Sequence, residues 1–133
     1  MKKEEKNSLE YIAFEGKKFT IEWYFDNKGQ SLALDYFNSL RDEEQIKLLN
    51  LLELMGNVGE IKNKTKFRNE GDKIYAFKPQ PHRFLCFFFV GNKIIITNAF
   101  RKKTDKLPIS EKERALKIKD NFEARIKNGD YYE

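Results

Sequence analysis

One cysteine, one histidine and three prolines are all that 133 residues contain of those types. With Cys86 alone no intrachain disulfide can form, and a reducing cytoplasm is the expected location. Cys86 lies within Phe84-Leu85-Cys86-Phe87-Phe88-Phe89, where aromatic packing would bury the sulfur and disfavour a thiolate. A catalytic thiol is therefore not expected. A single histidine and a single cysteine exclude an ordinary zinc cluster, and no spaced acidic motif suggests a carboxylate-held metal. Neither a metal nor a small-molecule cofactor is expected. No apolar run approaches the ~20 residues of a membrane helix, so no membrane partner is expected. The longest run, Phe84–Val90, has the length of a buried strand. No hydrophobic segment follows Met1-Lys2-Lys3-Glu4-Glu5-Lys6, which argues against secretion by a signal peptide.

What is abundant is positive charge, and it is clustered. Residues 61–106 carry 12 basic and 3 acidic residues, a net +9. Residues 1–60 carry 8 basic and 12 acidic, a net −4, and residues 107–133 balance at 6 and 6. The basic stretch also contains the most strand-like sequence, Lys73–Pro79 and His82–Phe100. Concentrating charge on a sheet while the remainder stays neutral or acidic is the pattern of a polyanion-binding surface.

At this length the chain is read as one domain over residues 18–127, with a charged N-terminal extension (1–17) and a loose tail (128–133). Lys18–Asp26 reads as a strand. Ser31 is a helix N-cap before Leu32, Ala33, Tyr36, Phe37 and Leu40. A second helix starts at Asp42, with Gln45 in capping-box position, an apolar stripe of Ile46, Leu49, Leu52 and Met55 widened by Leu48 and Leu51, and a stop at Gly56. So short a connection predicts an antiparallel helical hairpin. Asn57–Asp72 is a loop or an irregular strand, and Pro79-Gln80-Pro81 ends the strand Lys73–Lys78. His82–Val90 and Lys93–Phe100 form a hairpin through Gly91-Asn92. Ser110-Glu111-Lys112-Glu113 opens a last helix with Ala115, Ile118 and Phe122 inward. The order is β-α-α-β-β-β-α, an α+β fold with an antiparallel sheet covered by helices on one face.

Ile74-Tyr75-Ala76-Phe77-Lys78, Arg83 early in an aromatic strand, and Phe100-Arg101-Lys102-Lys103-Thr104 followed by Pro108 resemble the HigB-like, phage-derived branch of the RelE/ParE toxin superfamily. The likeness runs from Lys62 to Arg125, and the lysine-lysine-threonine segment is its most specific part. It implies a RelE-like fold and a cytoplasmic, ribosome-dependent mRNA endonuclease. Such a protein is the toxin of a type II toxin–antitoxin pair, held inactive by a helix-turn-helix antitoxin. Lys78 stands where that family has a strand arginine, Arg83 matches the arginine of the next strand, and Lys102 and Lys103 match the paired lysines. Two departures stand out. Ala76 replaces the usual acid of its strand, and Ile74 and Ala76 occupy the places of two RelE lysines.

Metal-independent RNA cleavage needs a base near the ribose 2′-OH, an acid near the leaving 5′-oxygen, and cations for the phosphorane. Arg83 suits the last role because its fork stays charged and bidentate, with Arg68 and Arg101 assisting. Lysines close to other cations lose proton affinity, which makes Lys78, Lys102 and Lys103 candidate acids or bases. His82, the one side chain that ordinarily titrates near neutrality, is another candidate, or else an exposed residue of the Pro-Gln-Pro loop. Lys66 and Lys106 are further candidate RNA contacts, and Tyr75 can stack on an unpaired base. Two other activities stay open on this fold: ParE-like gyrase inhibition, and non-catalytic nucleic-acid binding as a phage accessory protein.

Overall fold

The computed structural model describes residues 11–132. The stretch 1–10, read as frayed or helical, and Glu133 lie outside the described residues. Within them the element order is β1 (Ile12–Glu15), β2 (Thr20–Trp23), α1 (Leu32–Asn38), α2 (Asp42–Val58), β3 (Phe67–Gly71), β4 (Ile74–Phe77), β5 (His82–Phe89), β6 (Lys93–Arg101) and α3 (Ile109–Asn128). The six strands form one sheet ordered β1-β2-β6-β5-β4-β3.

The fold is α+β as expected, but the sheet is mixed: β2 runs parallel to β6 while every other pair is antiparallel. The long excursion through two helices and three strands returns the chain beside β2 in the same direction, which a tight turn cannot do. One strand escaped the sequence reading: Ile12–Glu15, assigned to the N-terminal extension, is an edge strand on β2. Of the loop or irregular strand expected over Asn57–Asp72, Phe67–Gly71 forms the opposite edge, with an irregularity between Asn69 and Gly71. Both are short, and neither shows a clean apolar alternation because each is only partly buried.

Helices cover both faces of the sheet, not one. Successive strand residues point to opposite sides. Phe84 meets Tyr36 of α1 at 5.7 Å between ring centroids, whereas Phe87 meets Phe122 of α3 at 5.5 Å. Instead of a packed hairpin, α1 contacts mainly β6, and α2 contacts β1 and β2. The β5–β6 hairpin turns where expected but through three residues, Val90-Gly91-Asn92, not two: Phe89 pairs with Lys93, and Gly91 (φ 80°) and Asn92 (φ 59°) take the left-handed conformations both tolerate. In β6 an extra residue at Thr97–Asn98 faces Leu85 as a bulge, with Thr97 Oγ1 donating to Leu85 O at 3.2 Å.

Ser31 caps α1 as anticipated, its Oγ accepting from Leu34 N at 3.2 Å. Leu32, however, is exposed. The buried stripe of α2 is rotated from the expected one: Leu48, Leu51, Leu52 and Met55 are inside, while Ile46 and Leu49 face out. Glu44, not Gln45, completes the capping box by accepting from Arg41 N at 3.3 Å. Gly56 does not stop the helix, which continues to Val58 and is capped by Gly59. Gly56 instead lets β1 and its turn approach: a Cβ on Gly56 would lie 2.6 Å from the Phe14 ring, and one on Gly16 would lie 2.3 Å from the Gly56 carbonyl carbon. At the start of α3 the N-cap is Pro108, with no side-chain cap, so the Ser110 box is not the helix entrance.

Within the segment expected to be loose over 128–133, Tyr131 and Tyr132 are packed against the domain. Tyr131 is fully buried against Phe122 (4.7 Å) and Tyr11 (5.3 Å), and Phe25 N donates to its hydroxyl at 2.9 Å. The Tyr132 hydroxyl donates to Glu22 Oε1 at 2.6 Å, and Lys93 pairs with the same carboxylate at 3.3 Å. Burying one such ring contributes roughly 1.5–3 kcal/mol. Polar neighbours in the sequence hide aromatic anchors whose partners lie 100 residues upstream.

Candidate phosphate-binding site

β5 starts immediately after Pro79-Gln80-Pro81, and strand alternation then sends His82 and Arg83 to opposite faces. Register carries the consequence across the sheet. Arg83 pairs with Phe100 and His82 with Arg101, so Phe100 shares the Arg83 face and Arg101 does not. Arg68 pairs with Ala76, and Ala76 with Leu85, which brings Arg68 to the Arg83 face as well.

The result is a shallow cleft at the end of the sheet, lined by Arg68, Glu70, Lys78, Arg83, Phe100 and Lys102, and closed by the loop Thr104–Leu107. Arg83 lies at its base, 8% exposed. Its Nη1 donates to Gln80 Oε1 at 3.2 Å and to the His82 carbonyl at 3.0 Å, which fixes the guanidinium while leaving further N–H groups for a ligand. Burial holds its pKa below the ordinary arginine value. Lys78 Nζ donates to the Lys64 carbonyl at 3.0 Å. Desolvation, and after it the Arg83 and Arg68 charges, lower its affinity for a proton. Lys102 Nζ is 3.0 Å from Asp105 Oδ1, and this hydrogen bond holds the Asp105 carboxyl below its usual range. Asp105 itself is 98% exposed, so the pair is readily exchanged for another anion.

Of the residues singled out from sequence, Arg68, Lys78, Arg83, Lys102 and Lys106 converge here. Lys66, Lys103 and Arg101 are exposed and do not line the cleft. Arg101 is on the other side, where its charge acts on Tyr36. Tyr75 also points to that other face, stacked on Phe67 at 5.6 Å with an interplanar angle of 9° and meeting Phe88 at 5.0 Å.

His82 is neither in the cleft nor an exposed loop residue: it is 3% exposed. Its Nδ1 is 2.7 Å from the Tyr36 hydroxyl and its Nε2 is 3.0 Å from Glu44 Oε2, joining α1, α2 and β5. Both ring nitrogens are engaged by protein partners and the ring does not line the cleft, so this geometry does not support the expected acid/base role. Glu70 is the cleft residue the sequence reading missed. It was counted only as one of three acids in a basic stretch, yet it lines the cleft, and its charge acts on both Arg83 and Lys78. Cys86 is fully buried and its thiol pKa is pushed up, as its aromatic setting predicted.

Among the described residues no three His, Cys, Asp or Glu side chains converge as a metal site requires. No helix there is long and apolar enough to cross a membrane. A larger hollow of about 360 Å³, between Tyr24–Leu32 and α3, shares no residue with the cationic cleft.

Residues 35–120 match the family described as phage derived protein Gp49-like (DUF891), so the whole cleft falls within the match. No curated protein matches the chain. The chain belongs to the Gp49-like family of phage-derived proteins, a RelE-like family associated with toxin–antitoxin systems.

Proposed function

We propose that this Gp49-like protein is the HigB-like toxin of a type II toxin–antitoxin pair and cleaves mRNA on the ribosome. The observation that carries this reading is the half-enclosed guanidinium of Arg83, held rigid by Gln80 and ringed by Arg68, Lys78 and Lys102. A fixed cation cluster open on one side suits a phosphodiester, and stabilises a phosphorane more than its less charged ground state.

In the proposed reaction Glu70 accepts the proton of the ribose 2′-OH as that oxygen attacks the adjacent phosphorus. The P–O5′ bond breaks, Lys78 supplies a proton to the departing 5′-oxygen, and a 2′,3′-cyclic phosphate and a 5′-hydroxyl remain. The lowered proton affinity of Lys78 makes it a better acid than an ordinary lysine. Arg83, with Arg68 and Lys102, neutralises the equatorial oxygens. An antitoxin of the helix-turn-helix class is the expected partner, together with ribosome-bound mRNA.

Ala76 favours one second reading. It is fully buried on the cleft side of β4, so the acid common at that place in HigB-like strands has no counterpart. A non-catalytic nucleic-acid-binding protein on the same fold would need no such acid.

Induced expression of wild type, Arg83→Ala and Glu70→Gln in a bacterial host, with primer extension on translated messages and plasmid supercoiling assayed in parallel, separates the readings. Growth arrest with cleavage inside coding sequence, lost in both variants, is the expected result. Arrest with altered supercoiling and intact messages would replace it with ParE-like gyrase inhibition; absence of arrest would favour the non-catalytic reading.

A further inference from the structure

Beside the cationic cleft, and sharing Glu70 and Leu107 with it, lies a second hollow of about 390 Å³. Leu107, Ile109 and Leu116 supply its apolar wall, and Ile109 is 76% exposed although it opens α3 next to the cleft. The polar rim has the opposite sign to the cleft. Lys112, its one cation, is already engaged: Nζ is 2.9 Å from Asp72 Oδ2 and donates to the Glu70 carbonyl at 3.0 Å. The Glu113 side chain makes no hydrogen bond or ion pair among the described residues; it is exposed at the rim that this hollow shares with the one beside Tyr24, with its acceptors open to a ligand.

A phosphate chain entering this hollow would be repelled by its carboxylates, whereas a planar group bearing N–H donors would satisfy them. The size is within the range of small-ligand seats. We propose that the hollow seats the nucleobase next to the phosphate held over Arg83, and that this base is guanine. Guanine presents two adjacent donors, N1–H and N2–H, matched to the two oxygens of one carboxylate. Adenine and cytosine place a ring-nitrogen acceptor beside their amino group, and uracil flanks its single N–H with carbonyls. Glu113 is the specificity carboxylate, and the apolar wall stacks or packs on the ring. This assignment rests on the phosphate-binding reading of the cleft.

The test is equilibrium titration of the full chain with the 3′,5′-bisphosphates of guanosine, inosine, adenosine, cytidine and uridine, and with inorganic pyrophosphate as a base-free probe. Guanosine bisphosphate should bind tightest. Inosine, which lacks the 2-amino group, should lose about tenfold, the size of one charge-assisted hydrogen bond. Glu113→Gln, at an exposed position, should remove the guanosine–inosine difference and leave pyrophosphate binding unchanged. Arg83→Ala should weaken every probe. Equal affinity for the five bisphosphates, or preference for another base, with Arg83 still required, would overturn the guanine seat alone. No binding of any probe, pyrophosphate included, would overturn it together with the phosphate reading beneath it.

Discussion

His82 and Arg83 are neighbours in one strand, yet the two faces of the sheet give them opposite fates. On the α1/α2 face His82 has both ring nitrogens taken, by Tyr36 and Glu44, and almost no exposure. On the α3 face Arg83 is nearly as buried, but its partners are Gln80 and a main-chain carbonyl, and part of its donor set faces an open cleft. Burial alone therefore does not mark a functional residue. What separates the two is whether hydrogen-bonding capacity remains unspent on the side where a ligand can arrive.

The contrast is broken most severely at Arg83. Arg83→Ala should lower the cleavage rate about 100- to 1,000-fold, the usual cost of removing one fixed donor from a developing anion. It should leave the unfolding midpoint little changed. Rate and denaturation measured on the same preparation check this, and a large stability loss with activity retained per folded molecule would reverse the assignment.

His82→Ala should do the converse. It strands the Tyr36 hydroxyl and Glu44 in a part-buried site and should cost about 2–3 kcal/mol in urea denaturation, with the rate per folded molecule preserved. The His82 hydrogen bond holds the Glu44 carboxyl below its ordinary value of 4.5. A depressed folded pKa gives stability that is fully present above the unfolded value and is lost as pH falls through the folded one. Wild type should therefore lose stability on acidification below about pH 4.5 more steeply than Glu44→Gln, and parallel acid curves would show that the pair contributes nothing.

Within the cleft the comparison sharpens to single protons. Lys78 is proposed to act protonated, and its folded pKa is below 10.5, so activity should fall as pH rises through that lowered value. Lys78→Arg keeps the charge but is a poor proton donor. The neutral rate should fall about 10- to 100-fold and the alkaline limb should vanish. A limb unmoved by the substitution would assign it to another group.

The smallest effect separates two adjacent lysines. Lys102 lines the cleft and Lys103 is exposed outside it. Lys102→Ala should lower the rate about tenfold or more, whereas Lys103→Ala should stay within about threefold, as expected for a remote surface charge. Equal losses in the two variants would show that the paired lysines act together as a general basic surface.

Much of the fold and of the cationic region is legible in the sequence. Charge counting located the cationic region, because ionisable side chains on a half-exposed sheet must emerge at its surface. The Ser31 cap and the Gly91-Asn92 turn were readable because both are local: a side-chain oxygen reaches an N–H three residues on, and left-handed φ values need residues that tolerate them. The stripe of α2 differs from its expectation for the opposite reason. Leucines at 48, 49, 51, 52 and 54 leave several rotations of the helix nearly equal in apolar content, and packing on β1 and β2 chooses among them. The edge strands pair with their neighbours in sequence but are short and only partly buried, so they lack a clean alternation, whereas the Tyr131 anchor depends on partners about 100 residues upstream, which no local pattern reports.

The sequence by itself therefore determined the α+β class, a single cysteine that cannot form an intrachain disulfide, the basic stretch with Arg83 at its heart, and the lysine-lysine-threonine segment. Only the tertiary structure decided that His82 bridges α1, α2 and β5, that Lys102 rather than Lys103 lines the Arg83 cleft, and that Glu70 lines it too. The reason is geometric. Strand alternation sorts residues onto two faces, but which face becomes core and which becomes cleft is set by where α1, α2 and α3 land on the finished sheet.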